Sequence, residues 1–330
     1  MSPSSRIRFR HGNITGMGPR VTVVGAGVVG LSCAVRLAEA GRPVDVLARE
    51  LPLETTSAVA GGLWLPFLAE PVAAVSRWSR LTLEALLGLV EADVGVAVRE
   101  GYLLGTGPRR PAWSEGLTQI ELAAVANPTP THSDGWHLRV PLVDMTRYLP
   151  YLVRRLAAAG GTLTRLPLTA LPSRGLVVNC TGLASRALAG DPSMRPVRGQ
   201  VVWMTNPGLT TWWSDDSDPR LLTYVLPHSR HVVVGGTAEP DDWSTTPEDG
   251  DTALILERAL DLVPALRSAS VLSHRVGLRP SRPTVRLETV RGPEGTVVHC
   301  YGHGGSGVTL SWGCADDVLT EVERIVADAS

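Results

Sequence analysis

Apolar positions fall into a readable pattern from Arg20 onward. "RVTVV" is a short β-branched run, and Leu31, Ala34, Val35 and Ala38 then recur at helical spacing until Gly41 offers a C-terminal stop. "RPVDVLARE" follows at once as a second strand. Strand, glycine turn, helix and strand make a βαβ unit, whose parallel strands belong to an open sheet covered by helices. Residues 73–98 carry a helical period, whereas from about 100 to 140 proline, glycine and tryptophan break the pattern. "VDMTRYLPYLVRRLAAAGG" predicts a further helix ending on glycine, and "TLTRL" and "GLVVNCTG" predict strands. Between 197 and 237 the runs "GQVVWM", "LLTYVLP" and "HVVVGGT" alternate as antiparallel strands, and 248–267 is amphipathic. The last forty residues read as strand, glycine loop and helix.

The α/β pieces therefore stand at the start, middle and end of the chain, with β-rich stretches between them. The fold class predicted is α/β. A Rossmann-like nucleotide-binding domain, discontinuous over 19–72, 137–195 and 275–330, would carry an inserted α+β domain over 73–136 and 196–274, built on an antiparallel sheet. Residues 1–18 form a leader.

Composition narrows the partners. A net charge of −1, 44% hydrophobic residues and a mean hydropathy of +0.09 give no basic face for nucleic acid. No apolar run reaches the ~20 residues of a membrane span. The leader carries arginines but no signal-peptide core, so a cytoplasmic location is the expectation. All 31 basic residues are arginine. The four cysteines, Cys33, Cys180, Cys300 and Cys314, lie in apolar contexts without CxxC or metal-like spacing, which predicts buried reduced thiols and no metal.

Two glycine-rich stretches carry the chemistry. Gly25-Ala26-Gly27-Val28-Val29-Gly30 fits GxGxxG between a strand and a helix, and Glu50, beside Arg49, ends the next strand twenty residues beyond Gly30. That context is a dinucleotide fingerprint: a tight turn at Gly25, backbone N–H groups offered to a pyrophosphate at Gly27, and close helix–strand packing at Gly30. The motif alone does not separate NAD from FAD. The second stretch, "HGGSG" at 303–307, favours FAD, because a flavin ring needs backbone donors around its pyrimidine end. "VGLRPSRPTVRLE" adds Arg279, Arg282 and Arg286. Pro280 biases Arg279 to extended backbone, so Arg279 and Leu278 should face opposite sides of a strand. Arginine grips a carboxylate through two parallel hydrogen bonds; solvated arginines on a surface strand are the other reading.

"VGLRPSRPTVRLE" followed by "HCYGHGGSGVTLSWGCA" closely resembles the C-terminal signatures of the D-amino-acid and D-aspartate oxidases. The likeness spans the chain: the fingerprint, "LARELPLETTSAVAGGLW", "VVNCTG", "VRGQ" and "LLTYVLP" occur in the family's order. It implies non-covalent FAD and oxidation of a D-amino acid by molecular oxygen to an imino acid, which hydrolyses to a 2-oxo acid and ammonia, with hydrogen peroxide formed. By position, Arg279 resembles the clamp on the substrate carboxylate and Tyr224 the tyrosine that joins it, while Gly305 resembles the carbonyl acceptor of the substrate amine. Gly304, Gly305, Ser306, Gly307, Val308 and Thr309 would wrap the flavin, and Gly61, Gly62 and Leu63 would line its ring. Thr55, Thr56, Leu166 and Thr181 would contact the rest of FAD.

No side-chain base is implied, and none of the eight histidines stands in an obvious base position; His303 is assigned to support of the glycine loop. The chain departs from the family in a shortened segment between Asp218-Pro219 and Tyr224, and in Ser306 where animal oxidases often have tyrosine. Trp212, Trp213, Leu65 and Phe67 are candidates for an apolar side-chain pocket. A D-aspartate oxidase is the alternative, with Arg220 as the distal cation, and a glycine- or sarcosine-type oxidase would use Cys314 as a covalent anchor. A homodimer is left open.

Overall fold

The first βαβ unit forms as its pattern predicts. β1 (Val21–Val24), α1 (Val28–Glu39) and β2 (Val44–Ala48) follow in order, and the two strands pair in parallel from Val21 opposite Val44 to Val24 opposite Leu47. The structure, a computed structural model, describes residues 18–66, 69–107, 109–115, 117–218 and 222–329. The chain continues through α2 (Val72–Leu87), β3 (Val96–Leu104), β4 (Leu122–Thr129), β5 (His132–Val143), α3 (Met145–Ala158), β6 (Thr162–Arg165), β7 (Gly175–Asn179) and α4 (Ser185–Leu188). Then come β8 (Arg195–Thr205), β9 (Trp212–Asp215), β10 (Thr223–Pro227), β11 (His231–Gly235), β12 (Glu239–Pro240), α5 (Asp249–Leu262), β13 (Val271–Arg291), β14 (Gly295–His303) and α6 (Gly307–Asp328).

One sheet runs through the molecule in the order β4-β5-β3-β9-β10-β11-β8-β13-β14-β7-β1-β2-β6, with β12 on β8. The strands from β14 to β6 are parallel, as the βαβ pattern requires. From β13 to β4 the pairing is antiparallel except between β3 and β9. The main core packs α1, α2, α3 and α6 around the parallel strands, with Trp64, Trp312 and Tyr148 fully buried. A second core joins α5 to one face of β8, β10 and β11 through Val202, Val225, Val234, Ile255 and Leu266.

Three expectations change. The helix expected over 73–98 stops at Leu87, since Asp93 and Gly95 take left-handed backbone and β3 begins at Val96. The helix expected over 248–267 stops at Leu262, and Pro264 opens a short 3-10 turn instead. The broken stretch 100–140 holds the end of β3, all of β4 and most of β5. Gly101, which reads as a breaker, is a strand position covered by the ring of Trp212, where a Cβ would overlap that ring. Tertiary packing there outweighs local propensity.

Candidate active site and cofactor cradle

The strand order gathers the residues assigned to the cofactor along one edge of the parallel block. β6 ends before Leu166, β2 before Arg49 and Glu50, β1 before Gly25, β7 before Thr181 and β14 before Gly304. These five strands are adjacent and parallel, so the residues follow one another just beyond the carboxyl ends of the strands, over four steps of ~4.8 Å each.

Each segment has its own local cause. Gly25 has φ +111, and a Cβ there would overlap the carbonyl oxygen of Cys180; a Cβ at Gly30 would overlap the Gly25 carbonyl. α1 is thereby pressed onto the end of β1. Its N-cap, Gly27, has no side-chain cap, and Ser57 Oγ accepts from the Val28 N–H at 3.0 Å. Ala26 and Val28 are buried, so this turn offers backbone rather than side chains. Beyond β2, the Glu50 carboxylate accepts from Arg49, both residues being exposed or partly so. Leu166 is 45% exposed and its N–H donates to the Ala48 carbonyl, which sets it beside the end of β2.

Thr55 donates to the Pro52 carbonyl and Thr56 to that of Leu278, so Thr56 ties this segment to β13. Gly61, Gly62 and Leu63 form the next link: the Val143 N–H donates to the Gly62 carbonyl, and Leu63 bridges Leu142. The Thr181 hydroxyl is engaged by Asn179 and Ser185. Thr309 and Ser306 are buried, and the Thr309 hydroxyl bonds the backbone of Leu65 on both sides. Thr309 thus serves by fixing the 61–66 segment to the start of α6, leaving backbone, not its hydroxyl, at the helix N-terminus.

The substrate-side residues share one face of the sheet. Tyr224 is opposite Gly235, Gly235 opposite Val201, and Arg279 opposite Val197. With side chains alternating along each strand, positions 224, 235, 201, 199, 197 and 279 all project from that face. Gly199 lies directly opposite Gly277. The Tyr224 ring lies over Gly235, and the guanidinium of Arg279 lies over Gly199, where added Cβ atoms would overlap them. The glycines leave a trough with a tyrosine hydroxyl at one end and a guanidinium at the other. Gly61 stands over it, since a Cβ there would lie 3.8 Å from Tyr224 Cε2. Gly305 stands next to Arg279, where a Cβ would lie 3.7 Å from Arg279 Cδ.

The polar groups around this trough are held differently. Arg279 donates from Nη1 to the Thr237 carbonyl at 2.9 Å, and no carboxylate pairs with it among the described residues. Arg282 and Arg286 are engaged elsewhere: Arg282 bonds Asp191, and Arg286 bonds Glu288 and Tyr301. Burial alone would raise the Asp191 carboxyl, but bonds from Ser193, Tyr301 and Arg282 outweigh it and bring its pKa down to about 2. His228 Nε2 donates to the Gly61 carbonyl at 3.1 Å, and burial lowers its pKa to about 4, so it stays neutral.

Comparison with known proteins gives the family. Residues 20–321 match the family described as FAD dependent oxidoreductase. The chain belongs to that family. It is 45% identical over 306 residues to a D-amino-acid oxidase of Rubrobacter xylanophilus, covering 90% of this chain and 94% of that one. A D-amino-acid oxidase of Streptomyces coelicolor is 45% identical over 305 residues with the same coverage. Among solved structures, a glycine oxidase of Geobacillus kaustophilus shares the fold at TM-score 0.79 and 20% identity, over 93% of this chain and 95% of that one.

FAD is therefore the cofactor of this FAD-dependent oxidoreductase, and the residues present fit it. The turn at Gly25 and Gly30 is closed to any Cβ and Gly304 takes left-handed backbone; both turns face one sheet edge, each opening a helix whose N-terminus favours anionic or acceptor groups. Several sequence expectations do not meet at the site. Trp212 is fully buried on the Tyr224 face, with its indole N–H on the Arg99 carbonyl, while Trp213 projects from the other face and stacks on Tyr102. Leu65 is buried beside Thr309, and Cys314 is buried beside Cys300 and His303. Phe67 and Arg220 lie outside the described residues, as do residues 1–17 of the leader. Ser57, His228, Gly199 and Gly235 were not singled out from sequence; the glycine in "VRGQ" and the pair in "HVVVGGT" are the signals for two of them. No helix among the described residues is long and apolar enough to cross a membrane.

Proposed function

We propose that this chain is a D-amino-acid oxidase for neutral D-amino acids, releasing the 2-oxo acid, ammonia and hydrogen peroxide. The observation that carries the reading is the glycine trough, with Tyr224 and Arg279 on one sheet face and Gly305 beside Arg279. Arg279 receives the substrate carboxylate, and the Tyr224 hydroxyl donates to the same group. The Gly305 carbonyl accepts from the amine. Fixing carboxylate and amine in this way leaves one orientation for the Cα hydrogen, so the chain works by positioning rather than by a side-chain base. When bound, FAD would supply the acceptor for the Cα hydride and the route of the electrons to oxygen. The Thr237 carbonyl orients the guanidinium from behind, and His228 holds Gly61 over the trough.

A neutral side chain is favoured by Asp216. It continues β9 on the Tyr224 face: Ser214 is opposite Tyr224, and the Asp216 N–H donates to the Leu104 carbonyl. Burial, with help from Asp215, raises its carboxyl to about 6 despite the bond from Ser214. A half-buried acid at that edge opposes a second substrate carboxylate. The test is a peroxide-coupled comparison of D-valine, D-methionine and D-aspartate; D-aspartate as the best substrate would overturn the neutral preference, and no turnover of any D-amino acid would overturn the whole reading.

A further inference from the structure

Four cysteines that are far apart in sequence converge in the core. Cys33 on α1, Cys180 just after β7 and Cys300 on β14 bring their Sγ atoms within 4.8 Å of one another; Cys300, His303 and Cys314 on α6 do the same around the other side of Cys300. All four thiols are free, and Cys33, Cys300 and Cys314 are at most 1% exposed. The Sγ atoms of Cys33 and Cys180 are 4.0 Å apart, and Cys300 Sγ is 4.0 Å from His303 Nε2.

The Cys33–Cys180 separation matches two thiolates on a shared cation. Two thiolates on one cation at ~2.3 Å stand ~3.8 Å apart in tetrahedral geometry and ~4.0 Å in trigonal geometry. Sulfur in this number selects soft d10 cations. We propose that these residues form a binding site for a soft d10 cation, Cu(I) in the first place, through Cys33, Cys180 and Cys300, with Cys314 and His303 completing the set around Cys300. Each ligating thiol releases its proton to solvent, and no electron is transferred.

The site lies beneath both glycine turns. The Cys180 carbonyl closes on Gly25, and its Cβ would meet a Cβ at Gly30 at 3.2 Å, while His303 directly precedes Gly304. Loading therefore acts on the cofactor cradle and is independent of which amino acid is oxidised.

The test uses reduced holoenzyme, exposed anaerobically to Cu(I), desalted, and assayed for copper and flavin. About one Cu(I) per chain is expected to be retained. Cys300→Ser and Cys33→Ala should each weaken retention at least ~10-fold while the flavin absorbance reports an intact fold. Wild-type protein that keeps its flavin and retains no Cu(I) overturns the site, as does equal retention in both variants. Neither result touches D-amino-acid turnover, so failure here and failure of the oxidase reading are told apart.

Discussion

Arg198 and Arg279 sit on neighbouring strands, one register position apart and on opposite faces, and meet opposite fates. Arg198, opposite Leu278 on β13, has a fully buried side chain surrounded by Glu239 and Asp251 at hydrogen-bond distance and by Asp242 and Glu248 further out. It also donates to Gln200 and to the Thr246 carbonyl. Arg279 has a carbonyl behind it and the trough in front. Compensated charge holds the segment 237–251 to β8; on the other face no carboxylate among the described residues pairs with Arg279, in keeping with the proposed clamp. The two arginines differ in burial, Arg198 being fully buried and Arg279 partly so, and in the company of carboxylates.

The largest effect should come from Arg198→Leu. It leaves several acids facing a vacated core position and should cost about 3–5 kcal/mol in denaturant unfolding. Arg279→Leu should leave unfolding and flavin content close to wild type but raise KM for D-valine roughly 10- to 100-fold, in line with losing charge-assisted hydrogen bonds. An unchanged KM would remove the clamp, and a large loss of stability would erase the contrast between the two arginines.

Asp191 tests the same contrast from the acid side. Its folded pKa of about 2 lies below its unfolded value, so its stabilisation is present above about pH 4 and is lost as pH falls through about 2. Asp191→Asn should therefore be about 2 kcal/mol less stable than wild type near pH 6, a gap that narrows as pH falls towards 2 in denaturant titrations. Tyr224→Phe should lower kcat/KM about 2- to 10-fold, the span of one neutral hydrogen bond. Asp216→Ser should give the smallest change, a few-fold gain in the D-aspartate to D-valine activity ratio.

The parallel half of the fold was legible because its signals are local. β-branched runs, a glycine turn and helical spacing fall within thirty residues, and the GxGxxG motif declares its own context. The antiparallel half was less so: β3 to β5 contain Gly101, Pro128 and Pro141, whose places depend on partners distant in sequence. At the site, Arg279 was visible as an arginine on a strand with an apolar neighbour. The trough was not, since Gly199 and Gly235 acquire meaning only when register sets them beneath Arg279 and Tyr224. The thiol cluster was hidden for the same reason, its members being joined by topology and not by spacing. Trp212 and Trp213 misled because adjacent residues of a strand face opposite ways.

β13 pairs with β8 as far as Ser281 and with β14 from Ser281 onward, and carries Arg279 just before that change of partner. The proposed substrate anchor and the strand leading into the second glycine turn are thus graduated on one ruler. Deleting or inserting a single residue within it would turn Arg279 to the wrong side while shifting the cradle. Changes of length are therefore tolerated best beyond the strand ends, and β13 acts as a fixed measure.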